Sequence, residues 1–293
     1  MISVNISQNG ADSTTNYIQV EHFPDNSQRL NNVPVLSPTH STMITFWWQY
    51  EKDEELATLI YLSKHYKNEY PGVNQVLLMP YIPNARMDRV YNKSEVFTLK
   101  HFAETINWLG FTKVISFDAH SDVSVALIDR LTNKPIVDIV NEVCKKIMSD
   151  NESVFDSNDI VFYFPDNGAY KKYSKQFKNH ANMIYGVKVR NWNTGKIEGL
   201  TVETNGIDLS GKTILMIDDI ISYGGTMYYS AKKLKELGVG KIYAYATHVE
   251  NSFDDTEKGT FNKCLKDGTV ENLFTFIGSI YDGNNSKVIR TSQ

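Results

Sequence analysis

Cysteine is nearly absent. Cys144 and Cys264 are the only two in 293 residues, and they stand in neither a CxxC nor a metal-ligand spacing. That excludes a disulfide-stapled scaffold and a cysteine metal site, and it predicts two reduced thiols. No block of Lys or Arg stands out, and the formal net charge is −4, so non-specific nucleic-acid binding is not favoured. No apolar run approaches the ~20 residues needed to span a bilayer. The opening "MISVNISQNGADSTTNY" lacks the basic and apolar regions of a signal peptide. The expectation is a cytoplasmic protein with neither nucleic acid nor membrane as partner. What is present is ordinary for a soluble globular chain, with 41% hydrophobic and 22% charged residues, and the length allows two domains.

From Asp53 onward helical periodicity alternates with short apolar runs. Leu56, Leu59 and Ile60 mark the inner face of a helix near 53–67, and "VLLM" at 76–79 reads as a buried strand. Leu99, Phe102, Ala103 and Ile106 repeat at i, i+3, i+4 and i+7, with Gly110 ending that helix before the strand "KVISF" at 113–117. The second half repeats the scheme. Strands are predicted at 159–164, 182–189, 213–217 and 241–246, and helices near 167–178 and 225–237. Such alternation predicts an α/β fold of mainly parallel sheets flanked by helices. "LGFTKVISFDAH" (109–120) and "LGVGKIYAYATH" (237–248) share Leu-Gly, a following Lys, an apolar strand and a closing His at a constant offset. Two related halves are therefore expected, 1–145 and 146–293, divided where "IVDIVNEVCKKIMSD" gives way to the polar "NESVFDSN".

"GIDLSGKT" (206–213) matches a phosphate-loop pattern literally, but its strand follows instead of preceding it, so the match is rejected as a polar turn. "TILMIDDIISYGGTM" (213–227) has the right order: buried strand, Asp218-Asp219, a short loop, Gly224-Gly225-Thr226, helix. Ligands of open α/β sheets sit at the carboxyl ends of strands. Gly-Gly permits positive φ and close approach of amides to a phosphate, and Thr226 can cap the helix. Two carboxylates beside a phosphate cradle would repel the phosphate unless they face hydroxyls or a cation. A sugar phosphate with Mg²⁺ satisfies that condition.

These residues resemble the phosphoribosyl-pyrophosphate (PRPP) motif shared by phosphoribosyltransferases and ribose-phosphate diphosphokinases (PRPP synthetases). Other segments select the second family. "MPYIPNARMDRV" (79–90), "ISFDAHSDV" (115–123), "VFYFPDNGAYKKYSKQF" (161–177) and "IYGVKVRNWNTG" (184–195) are similar, in order and spacing, to four further segments of it. The likeness runs from about Phe23 to the C-terminus. It implies two tandem phosphoribosyltransferase-like domains, a homo-oligomer, and Mg²⁺-dependent attack of a ribose 1-hydroxyl on the β-phosphorus of ATP. On that resemblance Lys188 and Arg190 stabilise charge on the transferred group, and His120 positions Mg²⁺–ATP. Asp166, with Asp218 and Asp219, holds ribose and metal, so the implied metal residues are His120 and Asp166. Ser222, Tyr223, Gly224, Gly225 and Thr226 take the 5′-phosphate. Phe23, Asp25, Arg86, Asp88 and Arg89 fall at the nucleotide, Phe23 against adenine; without the resemblance, Phe23 reads better as a core residue.

Four positions depart from the family pattern. Tyr223 replaces a small hydroxyl residue, Met87 a Gln, Ser27 a Glu, and Val189 fills the place of an extra basic residue. These changes touch the ends of the substrates. Ribose 5-phosphate is the first expectation for the acceptor, and a 5′-extended ribose such as ADP-ribose the second. A phosphoribosyltransferase consuming PRPP and a catalytically silent regulatory relative are the competing classes.

Overall fold

A computed structural model describes residues 1–8, 11–12, 15–37, 42–150, 156, 159–190, 197–283 and 285–291, with the backbone alone at 11–12, 188–190 and 197–198. The chain divides into two compact units, Met1–Lys134 and Pro135–Gln293.

The first unit opens with strands β1 (Ile2–Gln8), β2 (Ala11–Asp12), β3 (Asn16–Tyr17), β4 (Gln19–His22), β5 (Gln28–Asn31) and β6 (Met43–Trp48). Then come α1 (Glu54–Glu69), β7 (Asn74–Leu78), α2 (Thr98–Leu109), β8 (Lys113–Phe117), α3 (Asp122–Leu127) and β9 (Leu131–Lys134). The main sheet runs β2-β1-β6-β7-β8-β9, with β3 also on β1. Strands β6 to β9 are parallel and β1 lies antiparallel to β6. Strands β4 and β5 form a separate hairpin. The helix α1 carries Glu54 and Glu55 in its first turn and Lys67 in its last, the arrangement the helix dipole favours. Its buried face of Leu59, Leu62 and Tyr66 joins Phe46, Trp48, Leu77, Leu99 and Phe102 in one core. Each such side chain contributes about 1.5–3 kcal/mol by leaving water. Gly110 closes α2 in the left-handed conformation (φ 62°), as its place after the periodic run predicts.

The second unit contains α4 (Val137–Ser149), β10 (Ile160–Phe164), α5 (Asn167–Ser174), β11 (Met183–Arg190) and β12 (Ile197–Glu203). It continues with β13 (Thr213–Ile221), α6 (Gly225–Glu236), β14 (Ile242–Val249), a 3-10 turn at Asn251–Asp254, α7 (Phe261–Lys266), β15 (Leu273–Phe276) and β16 (Val288–Thr291). The sheet order is β12-β11-β10-β13-β14-β15-β16, parallel throughout except for β12.

The predicted α/β class holds, with three adjustments. The division falls between Lys134 and Pro135, ahead of α4, and not at 145/146 inside that helix. The amphipathic pattern of α4 gives its apolar face, Ile139, Val140, Val143, Cys144 and Ile147, but not which sheet receives it, and the helix packs in the second unit. Strand β13 continues through Asp218-Asp219 to Ile221, because β14 offers pairing that far, Ile220 opposite His248 and Ile221 opposite Val249. Helix α5 ends at Ser174, short of the predicted 178. Cys144 and Cys264 are both buried free thiols, and burial pushes them up to about 12 and about 11. Residues 206–212 form neither helix nor strand and lead into β13, as expected for the rejected phosphate-loop match.

Candidate active site

In the second unit, β10 pairs β13 only over Thr213–Met216, so β13 runs on past the end of its neighbour. The chain leaving β10 turns at once into α5, whose N-cap is Asp166; its side chain accepts the Ala169 N–H at 3.0 Å. Asp166, Asp218 and Asp219 are thereby brought to one sheet end. Asp218 is held well above the usual carboxylate range, first by burial, then by the neighbouring Asp219 and by Asp166. Lys172, on the second turn of α5, stands 4.0 Å from Asp219 and offsets part of that negative charge. Mutually repelling carboxylates at a strand end favour a cation or hydroxyl ligands.

The bend after β13 is three residues, Ser222-Tyr223-Gly224. Gly224 sits at φ 78° and is the N-cap of α6, so the cap is this glycine and not Thr226, which lies within the first turn. A Cβ at Gly224 would collide with Phe261, so both conformation and space require glycine. Gly225 is in neither situation: it is the first helical residue and has room for a Cβ. No side chain caps α6, so its first N–H groups point out of the helix end together with the positive end of its dipole. The loop is held from outside: the Tyr223 carbonyl accepts the Thr260 N–H at 2.8 Å and the Thr260 hydroxyl at 3.1 Å. The Tyr223 ring is 40% exposed and lies 5.8 Å from the Lys258 amine. The Ser222 hydroxyl faces that of Ser252 at 3.0 Å.

In the first unit, the long β7–α2 connection carries Arg86, Asp88 and Arg89. Asp88 takes the Arg89 guanidinium through both oxygens, at 2.9 and 3.3 Å. That pairing, with Ser121 and His120 close by, keeps its carboxyl below the usual range. His120 is exposed, just past the end of β8, so Asp88, Arg89 and His120 come together as a group. Arg86 is exposed on the same connection, and Met87 follows it partly buried. Phe23 and Asp25 stand at the tip of the β4–β5 hairpin. Phe23 is 51% exposed, so the core reading of this residue is overturned. The Asp25 carboxylate accepts both the N–H and the hydroxyl of Ser27, at 2.9 and 2.6 Å, which lowers its pKa. Ser27 therefore serves the turn of this hairpin.

Lys188 and Arg190 lie on β11, paired with Leu200 and Ile197 of β12. Their side chains, and the loop 191–196, fall outside the described residues. Nearby, Gly186 lets β11 pass the Tyr163 hydroxyl and the Pro165 carbonyl, which a Cβ would strike. Sequence reasoning missed Lys172, Thr260 and Phe261. The lysine run in "AYKKYSKQF" was a signal for the first, but nothing local marks the other two as supports of a bend nearly forty residues earlier. Among the described residues, a cavity of about 540 Å³ lies beside α4, and another of about 210 Å³ lies beside the β4–β5 hairpin at His22, Gln28 and Glu54. In the second unit Asp166, Asp218 and Asp219 stand at an open strand end. Among the described residues no three His, Cys, Asp or Glu side chains form a preformed metal cage, and no helix is long and apolar enough to cross a membrane.

A family model for the phosphoribosyl transferase domain matches residues 128–271. Ribose-phosphate pyrophosphokinase of Methanopyrus kandleri is 25% identical over 262 residues, covering 88% of this chain and 85% of the relative. Ribose-phosphate pyrophosphokinase 1 of Listeria innocua is 28% identical over 255 residues, covering 87% of this chain and 74% of the relative. In fold, the chain is similar to the phosphoribosylpyrophosphate synthetase of Mycobacterium smegmatis, with a TM-score of 0.71 at 16% identity over 94% of this chain and 85% of that one. The transferase-domain match is confined almost wholly to the second unit, whereas the similarity to the ribose-phosphate pyrophosphokinases runs through both.

Proposed function

We propose that this enzyme transfers the β,γ-diphosphate of ATP to the 1-hydroxyl of ribose 5-phosphate, giving PRPP and AMP. The observation that carries the reading is the meeting of Asp166, Asp218 and Asp219 beside the uncapped start of α6. One end of that arrangement suits pentose hydroxyls, the other a phosphate. The three carboxylates also fit Mg²⁺, a hard cation that takes one or two protein carboxylates and completes its shell with substrate and water oxygens. When bound, it supplies charge neutralisation at the transferred phosphates. His120, a nitrogen donor, fits better as a group that positions the nucleotide than as a ligand of that ion.

The remaining roles belong to the chain itself. The α6 amides and the Ser222 hydroxyl hold the 5′-phosphate, while Asp218 and Asp219 orient the ribose so that its anomeric oxygen is presented for in-line attack. Arg86, Arg89 and His120 bind the nucleotide, with Asp88 fixing the Arg89 fork, and Phe23 and Asp25 meet the adenine end. Lys188 and Arg190 stabilise charge on the moving diphosphate. The enzyme works as a homo-oligomer in the cytoplasm.

A second acceptor reading has one observation in its favour. Tyr223 presents a half-exposed ring beside a lysine amine at the mouth of the phosphate bend, apolar and cationic surface that a bare 5′-phosphate does not use. A 5′-extended ribose such as ADP-ribose would use it. A phosphoribosyltransferase would leave the Asp88–Arg89–His120 group without a role, and a silent relative would have no need of the acidic cluster.

The test is AMP formation from ATP with Mg²⁺ and either ribose 5-phosphate or ADP-ribose. Turnover with ribose 5-phosphate and formation of PRPP is the expected result. Preference for ADP-ribose, lost in Tyr223→Ser, would establish the second reading. Inactivity with both, or base-dependent release of diphosphate from PRPP, would overturn the assignment.

A further inference from the structure

We propose that Asn133 is a positioning residue for His120: its side-chain carbonyl fixes the Ala119 peptide and thereby the direction in which His120 leaves the sheet. Strand β8 stops at Phe117, and the next residue, Asp118, takes the left-handed conformation at φ 52° while buried to 4% exposure. A non-glycine residue in that region is strained, and it persists where surrounding bonds over-determine it. Two hydrogen bonds from β9 do so here. The Lys134 carbonyl accepts the Asp118 N–H at 3.1 Å, and Asn133 Oδ1 accepts the Ala119 N–H at 3.0 Å. The first is main chain and survives any substitution. The second depends on the residue at 133, which stands opposite Ser116 in the β8–β9 register and reaches past the end of β8. On the other side of His120, Ser121 faces the Asp88 carboxylate. His120 is exposed, and the residue before it, Ala119, is tied to β9.

The kinetic part of this inference rests on the diphosphokinase reading; the placement of the ring does not. Two variants and two readouts separate them. In Asn133→Leu, of similar size without an acceptor, kcat is expected to fall about 10-fold while the acceptor KM stays within about twofold, since a small misplacement of a positioned group is felt in turnover. The His120 imidazole cross-peak in a ¹H–¹³C NMR spectrum is expected to shift. Asn133→Asp keeps an acceptor at the same reach and is expected to restore both. Wild-type kcat with an unmoved His120 signal in Asn133→Leu would overturn the proposal. So would an Asn133→Asp variant as impaired as Asn133→Leu, which would mark a merely structural role. If the wild-type protein releases no AMP with any ribose acceptor, the reaction assignment fails while the NMR pair still decides the placement.

Discussion

The two units use the same strand–helix–strand unit and finish it differently. In each, a buried strand leads to an amphipathic helix and then to a parallel neighbour: β7, α2, β8 in the first and β13, α6, β14 in the second. The first unit joins strand to helix through a long connection, 79–97, whereas the second does so in three residues, 222–224. The closing histidines diverge as well. His120 follows a left-handed turn into solvent, while His248 stays within β14 opposite Ile220 and is 4% exposed. Matching sequence spacing therefore marks a shared scaffold, while the two histidines end up in different surroundings. The difference lies in what the strand does at its last residue, turning away at Asp118 or continuing through Ala246 and Thr247.

Breaking that contrast is the most demanding test. His120→Ala is expected to lower kcat by about 100-fold with little change in melting temperature, because an exposed ring contributes contacts to ligand and few to the core. His248→Ala is expected to do the reverse. Removing a buried ring from β14 costs about 1–3 kcal/mol and leaves turnover of the folded fraction within a few-fold. Steady-state AMP formation and thermal denaturation on both variants decide it. A kinetic defect in His248→Ala without loss of stability would mean the second histidine also serves the site.

A narrower contrast lies inside the bend. Gly224→Ala must adopt φ 78° and meet Phe261, so it is expected to destabilise by about 1–3 kcal/mol and to raise the acceptor KM about 10-fold or more. Gly225→Ala, at a helical position with space for a methyl, is expected to be neutral or slightly stabilising in the melt. Equal defects in the two melts would show that the collision with Phe261 is not what fixes the bend.

Much of this was legible in the sequence because the signals are local. Hydrophobic periodicity placed α1, α2 and α6, and "KVISF" and "TILMI" announced their strands. The order of strand, acidic pair, glycines and helix located the bend at Ser222–Gly224. What was not legible depends on partners distant in the chain. Nothing in "DDII" tells that β14 will carry the strand on to Ile221. The assignment of α4 to the second sheet, the packing of Phe261 under Gly224, and the hold of Asn133 on Ala119 are likewise tertiary facts. The strands β1 to β6 were missed; the alternation in "ISVNIS" and the apolar run "MITFWW" were signals for β1 and β6, while β2 to β5 are too short to show a decisive period.

The smallest expected effect concerns Asp218, whose counterpart position in the first unit carries no acidic pair. Its folded-state pKa is raised, by burial first and then by Asp219 and Asp166. A raised carboxyl binds more protons in the folded than in the unfolded protein. Its contribution to stability is therefore fully present below the unfolded value, about pH 4, and is lost as pH rises through the folded value. Asp218→Asn removes that loss. Without ligand it is expected to melt about 2–4 °C above the wild type near neutral pH, roughly 1 kcal/mol for a protein of this size. The gain should vanish as pH falls below about 4, where the native carboxyl is protonated in both states. The same variant should bind the acceptor more weakly, since an amide cannot carry the charge that draws cation and hydroxyls to this strand end. A gain in stability that persists unchanged at low pH would assign the effect to packing, and repulsion among the three carboxylates would cease to support the ligand site proposed at this sheet end.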